Sequence, residues 1–181
     1  MLSALSVAKQ PTNLPPIVTR TPWYCAGCPH NSSTKLPDGE NTGMGIGCHS
    51  ISGFLTPDAI TNYTQMGGEG AFWIGRAPFS SHQHSFQNIG DGTYAHSGYL
   101  GVRAAVAAGV NMTFKLLYNG AVAMTGGQAV KGGQPPWMIS AQLAAEGVRD
   151  IAIVTDQPKS FPANANWAKN TKIYHRRELM D

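Results

Sequence analysis

The chain has 181 residues, the length of one domain, and its 42% of apolar residues is enough to bury a core. Only 13% of the residues are charged, against roughly 25% in a typical soluble domain, so we expect another domain to cover part of the surface. Three cysteines, no apolar run near ~18 residues and a scattered net charge of +3 argue against a disulfide scaffold, a transmembrane protein and a nucleic-acid-binding protein.

The first third of the chain carries few signals of regular structure. Residues 1–21 contain prolines and no hydrophobic period, and are interpreted as a linker. Residues 22–50, punctuated by Gly, Pro, Asn and Ser, are predicted to be a ligand-bearing loop region with little regular structure, followed by a short helix at residues 57–63. The opening segment lacks the features of a secretory signal, so we expect a cytoplasmic protein.

All three cysteines, Cys25, Cys28 and Cys48, lie in this loop region. In a reducing compartment their odd number favours ligation over a disulfide. Cys25-Ala-Gly-Cys28 puts two thiols on one tight turn, and small residues precede Cys48. Spacing alone leaves three interpretations open. These are a [4Fe–4S] cluster that lacks its fourth thiolate, a zinc site completed by His30 or His49, and a redox Cys-x-x-Cys with one buried thiol.

From residue 86 onward, predicted strands alternate with predicted helices. In chain order they are a strand at 86–89, a helix at 93–108, a strand at 112–118, a helix at 140–146, and strands at 151–155 and 172–175. Gly109 and Gly147 are predicted to end the helices. In the longer helix, one apolar face comprises Leu100, Ala104, Ala107 and Ala108. The alternation predicts a parallel sheet with right-handed crossovers and ligands at the carboxyl ends of its strands.

The most informative motif is Gly90-Asp91-Gly92, which directly follows the first of these strands. After 26 further residues comes Asn119, directly behind the next strand. A carboxylate and an amide oxygen at neighbouring strand ends suit a hard divalent cation that also holds phosphate oxygens. The N-terminus of the helix that begins near Thr93 suits an anionic pyrophosphate. The alternative is a turn without a ligand, because Gly-Asp-Gly also forms ordinary hairpin turns.

This Gly-Asp-Gly…Asn pattern is the thiamine diphosphate signature, and its surroundings resemble a known family. The similar segments are NIGDGTYAHSGYLGVRAAVAAGVN, LYNGAVAMTGGQ, WYCAGCPHNSSTKLPDG, GIGCHS and QMGGEGAFWIGRAPF. They resemble the bacterial fused indolepyruvate:ferredoxin oxidoreductases, of the 2-oxoacid:ferredoxin oxidoreductase family. The resemblance implies an α/β fold of the thiamine diphosphate-binding type, with helices on both faces of a parallel sheet. Residues 22–181 would be the pyrophosphate-side domain, with an N-terminal cluster loop, of a longer enzyme.

The resemblance also implies a set of site residues. Mg²⁺ would be held by the Asp91 carboxylate, the Asn119 side-chain oxygen and the Ala121 carbonyl. A [4Fe–4S] cluster would take Cys25, Cys28 and Cys48. The residues that would line thiamine diphosphate are Ile46, Gly47, Cys48, His49, Gly90, Gly92, Thr93, Ala123 and Met124, with loop 66–69 as a weaker candidate. His96, one helical turn beyond Asp91, is the best candidate for an acid or base near the substrate.

The implied reaction is oxidative decarboxylation of a 2-oxoacid, such as indolepyruvate or another arylpyruvate, to an acyl-CoA. Electrons would pass through the iron–sulfur cluster to ferredoxin, and coenzyme A would take the acyl group. The implied partners are a pyrimidine-binding domain, which would supply a glutamate to the cofactor, and the remaining domains of a homo-oligomeric enzyme. The chain alone is therefore expected to be inactive. A zinc-bearing structural module and a non-catalytic cofactor-binding module are the two alternatives.

Overall fold

A four-stranded sheet forms the centre of the computed structural model, which describes residues 20–180. Its strands are β1 (Thr42–Met44), β2 (Ile60–Tyr63), β3 (Ser85–Gly90) and β4 (Met112–Leu117). They lie in the order β2-β1-β3-β4, and every pairing is parallel. This arrangement confirms the predicted α/β fold on a parallel sheet. All but the last two residues of the predicted linker 1–21 lie outside the described part.

The remaining elements of residues 20–180 are helices and two further pairs of strands. The helices are α1 (His30–Ser33), α2 (Ser52–Leu55), α3 (Ala71–Arg76), α4 (Asp91–Thr93), α5 (Tyr99–Ala108) and α6 (Pro136–Ala145). A π-helical turn, Tyr94–Gly98, joins α4 to α5 into one continuous helical stretch. Strands β5 (Ala121–Val122) and β6 (Gln128–Ala129) form an antiparallel pair, whereas β7 (Ile151–Thr155) and β8 (Thr171–His175) form a separate parallel pair. The four strands predicted from residue 86 onward are thus present.

The buried core lies between the sheet and the two longest helices. Ile89 of β3, Tyr94 of the π turn, Val102 of α5 and Ile139 of α6 form one buried cluster. Apolar burial of this kind contributes about 25 cal/mol per Å² of surface removed from water. The core therefore attaches both helices to the strand that ends at Asp91, and so holds the helix N-terminus behind the end of β3.

The apolar face identified in the sequence is not the face that α5 buries. The face formed by Leu100, Ala104, Ala107 and Ala108 is exposed, and the residues that α5 buries are Gly101, Val102 and Ala105. At Gly101 a side chain would collide with the backbone carbonyl of Glu69. The helix thus presents its smallest residue to the loop before α3, and close approach of two backbones decides which face is buried.

Residues 22–50 contain little regular structure, as predicted, but they include the fully buried strand β1 and helix α1. The predicted helix at residues 57–63 is a 3₁₀ turn, Pro57–Ala59, followed by β2, because its β-branched and aromatic residues pair with β1. Of the helices between residues 20 and 180, none has both the length and the apolar character needed to cross a bilayer.

Candidate functional site

Asp91 lies at the carboxyl end of β3 and connects it to the end of β4. Its side chain is buried, and its Oδ1 accepts the backbone N–H of Gly92 at 2.8 Å. Its Oδ2 accepts the backbone N–H groups of Asn119, at 3.0 Å, and Gly120, at 2.6 Å. The two residues predicted as metal ligands on neighbouring strands are therefore adjacent, as expected for parallel strands that end at one edge.

The oxygens at this edge retain capacity for a cation. A carboxylate offers about four acceptor positions, and Asp91 uses three of them for backbone N–H groups. The side-chain oxygen of Asn119 accepts the backbone N–H of Ala121 at 2.9 Å, which leaves one lone pair free. The third predicted ligand, the Ala121 carbonyl, belongs to the same tight turn as Asn119. A carboxylate, an amide oxygen and a carbonyl form an all-oxygen donor set that suits Mg²⁺.

The turn of residues 45–49 forms a second part of the site, beside the start of the long helix. The Thr93 hydroxyl donates to the Ile46 carbonyl at 3.4 Å, which joins two segments predicted to line the cofactor. Gly47 has φ +153°, which a residue with a side chain rarely adopts. His49 is only 1% exposed, and its Nε2 accepts the Gly45 N–H at 3.3 Å. Burial, with a smaller effect of nearby His30, lowers the pKa of His49 to about 4.

The other residues predicted to line the cofactor are Gly90, Gly92, Ala123 and Met124, and they lie at or just after the ends of β3 and β5. Gly90 ends β3, and Gly92 is the next residue but one, in α4. The space beside the Gly92 Cα is bounded by a Val122 methyl group, which lies 3.4 Å from the position of an added Cβ atom. Ala123 and Met124 form an exposed 3₁₀ turn that follows β5. Their exposure leaves them free to contact a ligand or another domain.

His96 lies in the π-helical turn, a feature that occurs frequently at functional sites. The side chain is exposed, and its Nδ1 lies 2.7 Å from the Ser97 hydroxyl. A Cβ atom at Gly67 would lie 2.6 Å from this hydroxyl oxygen and 3.0 Å from the Ser97 Cβ, so Ser97 fills the space that a side chain at Gly67 would need. The weaker candidate loop, residues 66–69, therefore lies next to His96. The π turn itself requires Gly98, because a side chain there would press on Ile89 and on the Thr93 carbonyl.

The three cysteines are free thiols in one neighbourhood. Burial and the nearby thiols of Cys28 and Cys25 raise the pKa of Cys48. The Tyr24 hydroxyl donates to the His49 carbonyl at 3.3 Å, which connects the Cys25–Cys28 turn to the turn of residues 45–49. Within residues 20–180, however, no group of three or more His, Cys, Asp or Glu side chains is arranged to hold a metal ion. The thiols alone therefore do not form a complete metal site.

The surroundings of three residues in this region could not be predicted from the sequence. The His30 Nδ1 is buried and has no hydrogen-bond partner in the described part of the chain, and burial lowers the pKa of this residue. The Lys115 ammonium donates to the Ser33 carbonyl at 3.2 Å and to the Lys35 carbonyl, and thus anchors the segment that follows the cysteine turn. Glu69 is completely buried. No local pattern distinguishes these side chains from solvated ones.

A cavity of about 360 Å³ adjoins Asp91 and Gly120 on the side of α6. Its wall is uncharged apart from Asp91 and includes three aromatic residues, Tyr94, Tyr99 and Tyr118. The Tyr94 hydroxyl donates to the Gln142 side chain at 3.0 Å, and burial raises the pKa of Tyr94 to about 12. The strand ends thus face open space of the size that small ligands occupy.

Comparison with known proteins gives one informative result. No family model matches the chain, and no curated protein matches it. Among solved structures, it is similar to a 2-oxoglutarate:ferredoxin oxidoreductase from Magnetococcus marinus with 2-oxoglutarate, coenzyme A and succinyl-CoA bound. The TM-score is 0.58 at 18% identity, over 87% of this chain and 63% of that chain, so this chain spans less than two thirds of the other's length. The likeness establishes that the chain shares the α/β fold of this oxidoreductase.

Proposed function

We propose that this chain is the thiamine diphosphate- and Mg²⁺-binding module of a 2-oxoacid:ferredoxin oxidoreductase that acts on indolepyruvate or a similar arylpyruvate. The observation that carries the proposal is the Asp91 carboxylate at the end of β3, held against Asn119 at the end of β4. The fold shared with an oxidoreductase of 2-oxoacids supports the proposal. So does the long resemblance of the sequence to the fused indolepyruvate enzymes.

When bound, thiamine diphosphate supplies the carbon nucleophile that allows a 2-oxoacid to lose CO₂. The residues of this chain bind and orient it. Asp91, Asn119 and the Ala121 carbonyl would hold Mg²⁺ against the diphosphate, and the Thr93 amide at the start of the helix would face its negative charge. Gly92, whose N–H is donated to Asp91, would line the cofactor. The turn of residues 46–49, with Gly90, Ala123 and Met124, would line the cofactor. His96 would hold or move a proton near the substrate.

The iron–sulfur part of the proposal is supported by the resemblance and by the shared neighbourhood of Cys25, Cys28 and Cys48. A [4Fe–4S] cluster needs four ligands, so a group outside this set would complete the site. We expect anaerobic reconstitution to give a labile brown species whose iron content falls in Cys28→Ser. About one tightly bound zinc per chain without acid-labile sulfide would instead favour the zinc-bearing structural module.

The activity is proposed for a larger, cytoplasmic and homo-oligomeric assembly. A pyrimidine-binding domain would supply the glutamate that contacts the aminopyrimidine, ferredoxin would accept electrons, and coenzyme A would take the acyl group. We expect the 181-residue chain to turn over no 2-oxoacid by itself. Adding the pyrimidine-binding domain should restore anaerobic reduction of a viologen dye by arylpyruvates, and turnover by the isolated chain would contradict this division of labour.

Calorimetric titration with thiamine diphosphate tests the proposed function directly. We expect binding in the presence of Mg²⁺ and none with excess chelator. In Asp91→Ala, which removes the charged ligand, affinity should fall at least about tenfold, equivalent to about 1.4 kcal/mol. Asp150→Ala, at an exposed position before β7, is the matched control and should bind as the wild type does. Equal affinity in Asp91→Ala and wild type would refute the metal site.

A further inference from the structure

Glu69 carries a completely buried carboxyl group in the loop that precedes α3. Its Oε2 accepts the backbone N–H of Gly67 at 2.7 Å. Its Oε1 is also buried and has no hydrogen-bond partner among residues 20–180. Burial raises the pKa of this carboxyl group above its ordinary value. An ionised carboxylate with one hydrogen bond would be more costly at this position than a neutral carboxyl group.

Among the residues that the structure describes, no positive side chain forms an ion pair with this group. The ion pairs within the described residues are His84–Glu40, Arg103–Glu146 and Arg176–Asp156, none of which includes Glu69. The titratable groups on the packed elements include Cys48 and His49 of the turn and Tyr99 and Arg103 of α5. His49 hydrogen-bonds Gly45, and Arg103 is paired with Glu146. His96 belongs to the same surroundings, because its neighbour Ser97 lies against Gly67. The local packing thus favours an uncharged side chain at position 69.

The carboxyl group rests on the backbone of Gly45. A Cβ atom at Gly45 would lie 2.8 Å from the Glu69 Cγ and would collide with Oε1, so the side chain fills the space that a residue at position 45 would need. On its other side, Gly45 donates its N–H to His49. The backbone at Gly45 therefore packs against Glu69 and is hydrogen-bonded to His49, immediately before Ile46 and Gly47.

We infer that Glu69 is a positioning residue of the cofactor site. As an uncharged carboxyl group, it holds the turn of residues 45–49 against the loop of residues 66–70. This inference rests on the proposed function, because that turn is proposed to line thiamine diphosphate. The side chain of Glu69 contacts both segments: it accepts a hydrogen bond from Gly67 in the loop and packs against Gly45 in the turn. A purely space-filling role would need only the shape of the side chain.

Two variants separate these roles. Glu69→Gln keeps the shape, accepts from Gly67 and carries no charge, whereas Glu69→Leu keeps most of the volume and loses the hydrogen bond. In the presence of Mg²⁺, we expect the affinity of Glu69→Gln for thiamine diphosphate to be within about twofold of the wild-type affinity. The affinity of Glu69→Leu should be about tenfold lower, because one ordered polar contact is lost. Thermal unfolding should show that Glu69→Leu is folded. Asp150→Asn, an exposed acid, is the control and should not change binding.

Infrared difference spectroscopy of wild type against Glu69→Gln supplies a readout that needs no ligand. We expect the carbonyl stretch of a protonated carboxyl group in the wild type at neutral pH and its loss in the variant. Unchanged affinity in folded Glu69→Leu, or a carboxylate band in place of the carboxyl band, would overturn the inference. Affinity as weak in Glu69→Gln as in Glu69→Leu would do the same. Absence of Mg²⁺-dependent binding in the wild type would instead refute the proposed function itself.

Discussion

His49 allows a quantitative test of how tightly the turn of residues 45–49 is packed. Burial, assisted by His30, lowers the pKa of this ring from 6.5 to about 4, so the folded chain keeps it neutral. As the pH falls below 6.5, the ring binds a proton in the unfolded chain but not in the folded chain. The contribution of His49 to the free energy of unfolding is therefore fully present above pH 6.5 and is lost progressively toward pH 4. At about 1.36 kcal/mol per pKa unit, the loss approaches about 3.4 kcal/mol below pH 4 and is about 2 kcal/mol at pH 5.

The variant His49→Gln removes the titration and keeps a carbonyl oxygen that can accept the Gly45 N–H. Urea unfolding at about pH 7.5 and about pH 5 gives the free energy of unfolding of each protein. We expect the wild type to lose about 2 kcal/mol more than His49→Gln between these two conditions. His82→Gln, at an exposed position, should retain the wild-type dependence. An equal loss in His49→Gln and wild type would show that His49 is solvated and would refute the packing of this turn.

Two further predictions concern Gly98, in the π-helical turn that follows Asp91, and Lys115, which hydrogen-bonds the segment after the cysteine turn. Gly98→Ala should destabilise the chain by about 1–3 kcal/mol in urea unfolding, because its methyl group would press on Ile89. Gly75→Ala, in α3 with open space around it, should instead be neutral or stabilising by up to about 1 kcal/mol, and equal effects would contradict the π-turn packing. Burial lowers the pKa of Lys115 to about 8, so the unfolded chain binds the proton more tightly and stability should rise with pH between about 8 and 10.5. That rise should be absent in Lys115→Met, and its persistence would show that Lys115 is not its source.

Several elements could be predicted from the sequence because their signals are local. Residues 151–155 form an apolar, β-branched run, and this composition favours a strand before any partner is known. Gly109 and Gly147 have φ +64° and +98°, so the residue type itself indicates where α5 and α6 end. The proximity of Asp91 and Asn119 was also predictable, since neighbouring parallel strands end at one edge of the sheet.

Other elements depend on contacts between residues far apart in the sequence. The run Thr42-Gly43-Met44 has no strand-like alternation, yet it forms the buried strand β1 because β2 and β3 pair with it on both sides. A side chain at Gly43 would collide with Gln87 of β3, so the need for glycine there arises only from the sheet. The buried face of α5 was likewise decided by the close approach of Gly101 to the loop before α3.

The residue types of the candidate site were determined by the sequence, whereas their chemical states were decided by the tertiary structure. Gly-Asp-Gly and Asn119 indicate an oxygen donor set at two strand ends whatever surrounds them. The burial of Glu69 and the low pKa of His49 depend on segments brought together from different parts of the chain. The charge of a side chain depends on the water and polar groups around it, and local sequence does not specify these. The electrostatics of this site therefore follow from long-range packing.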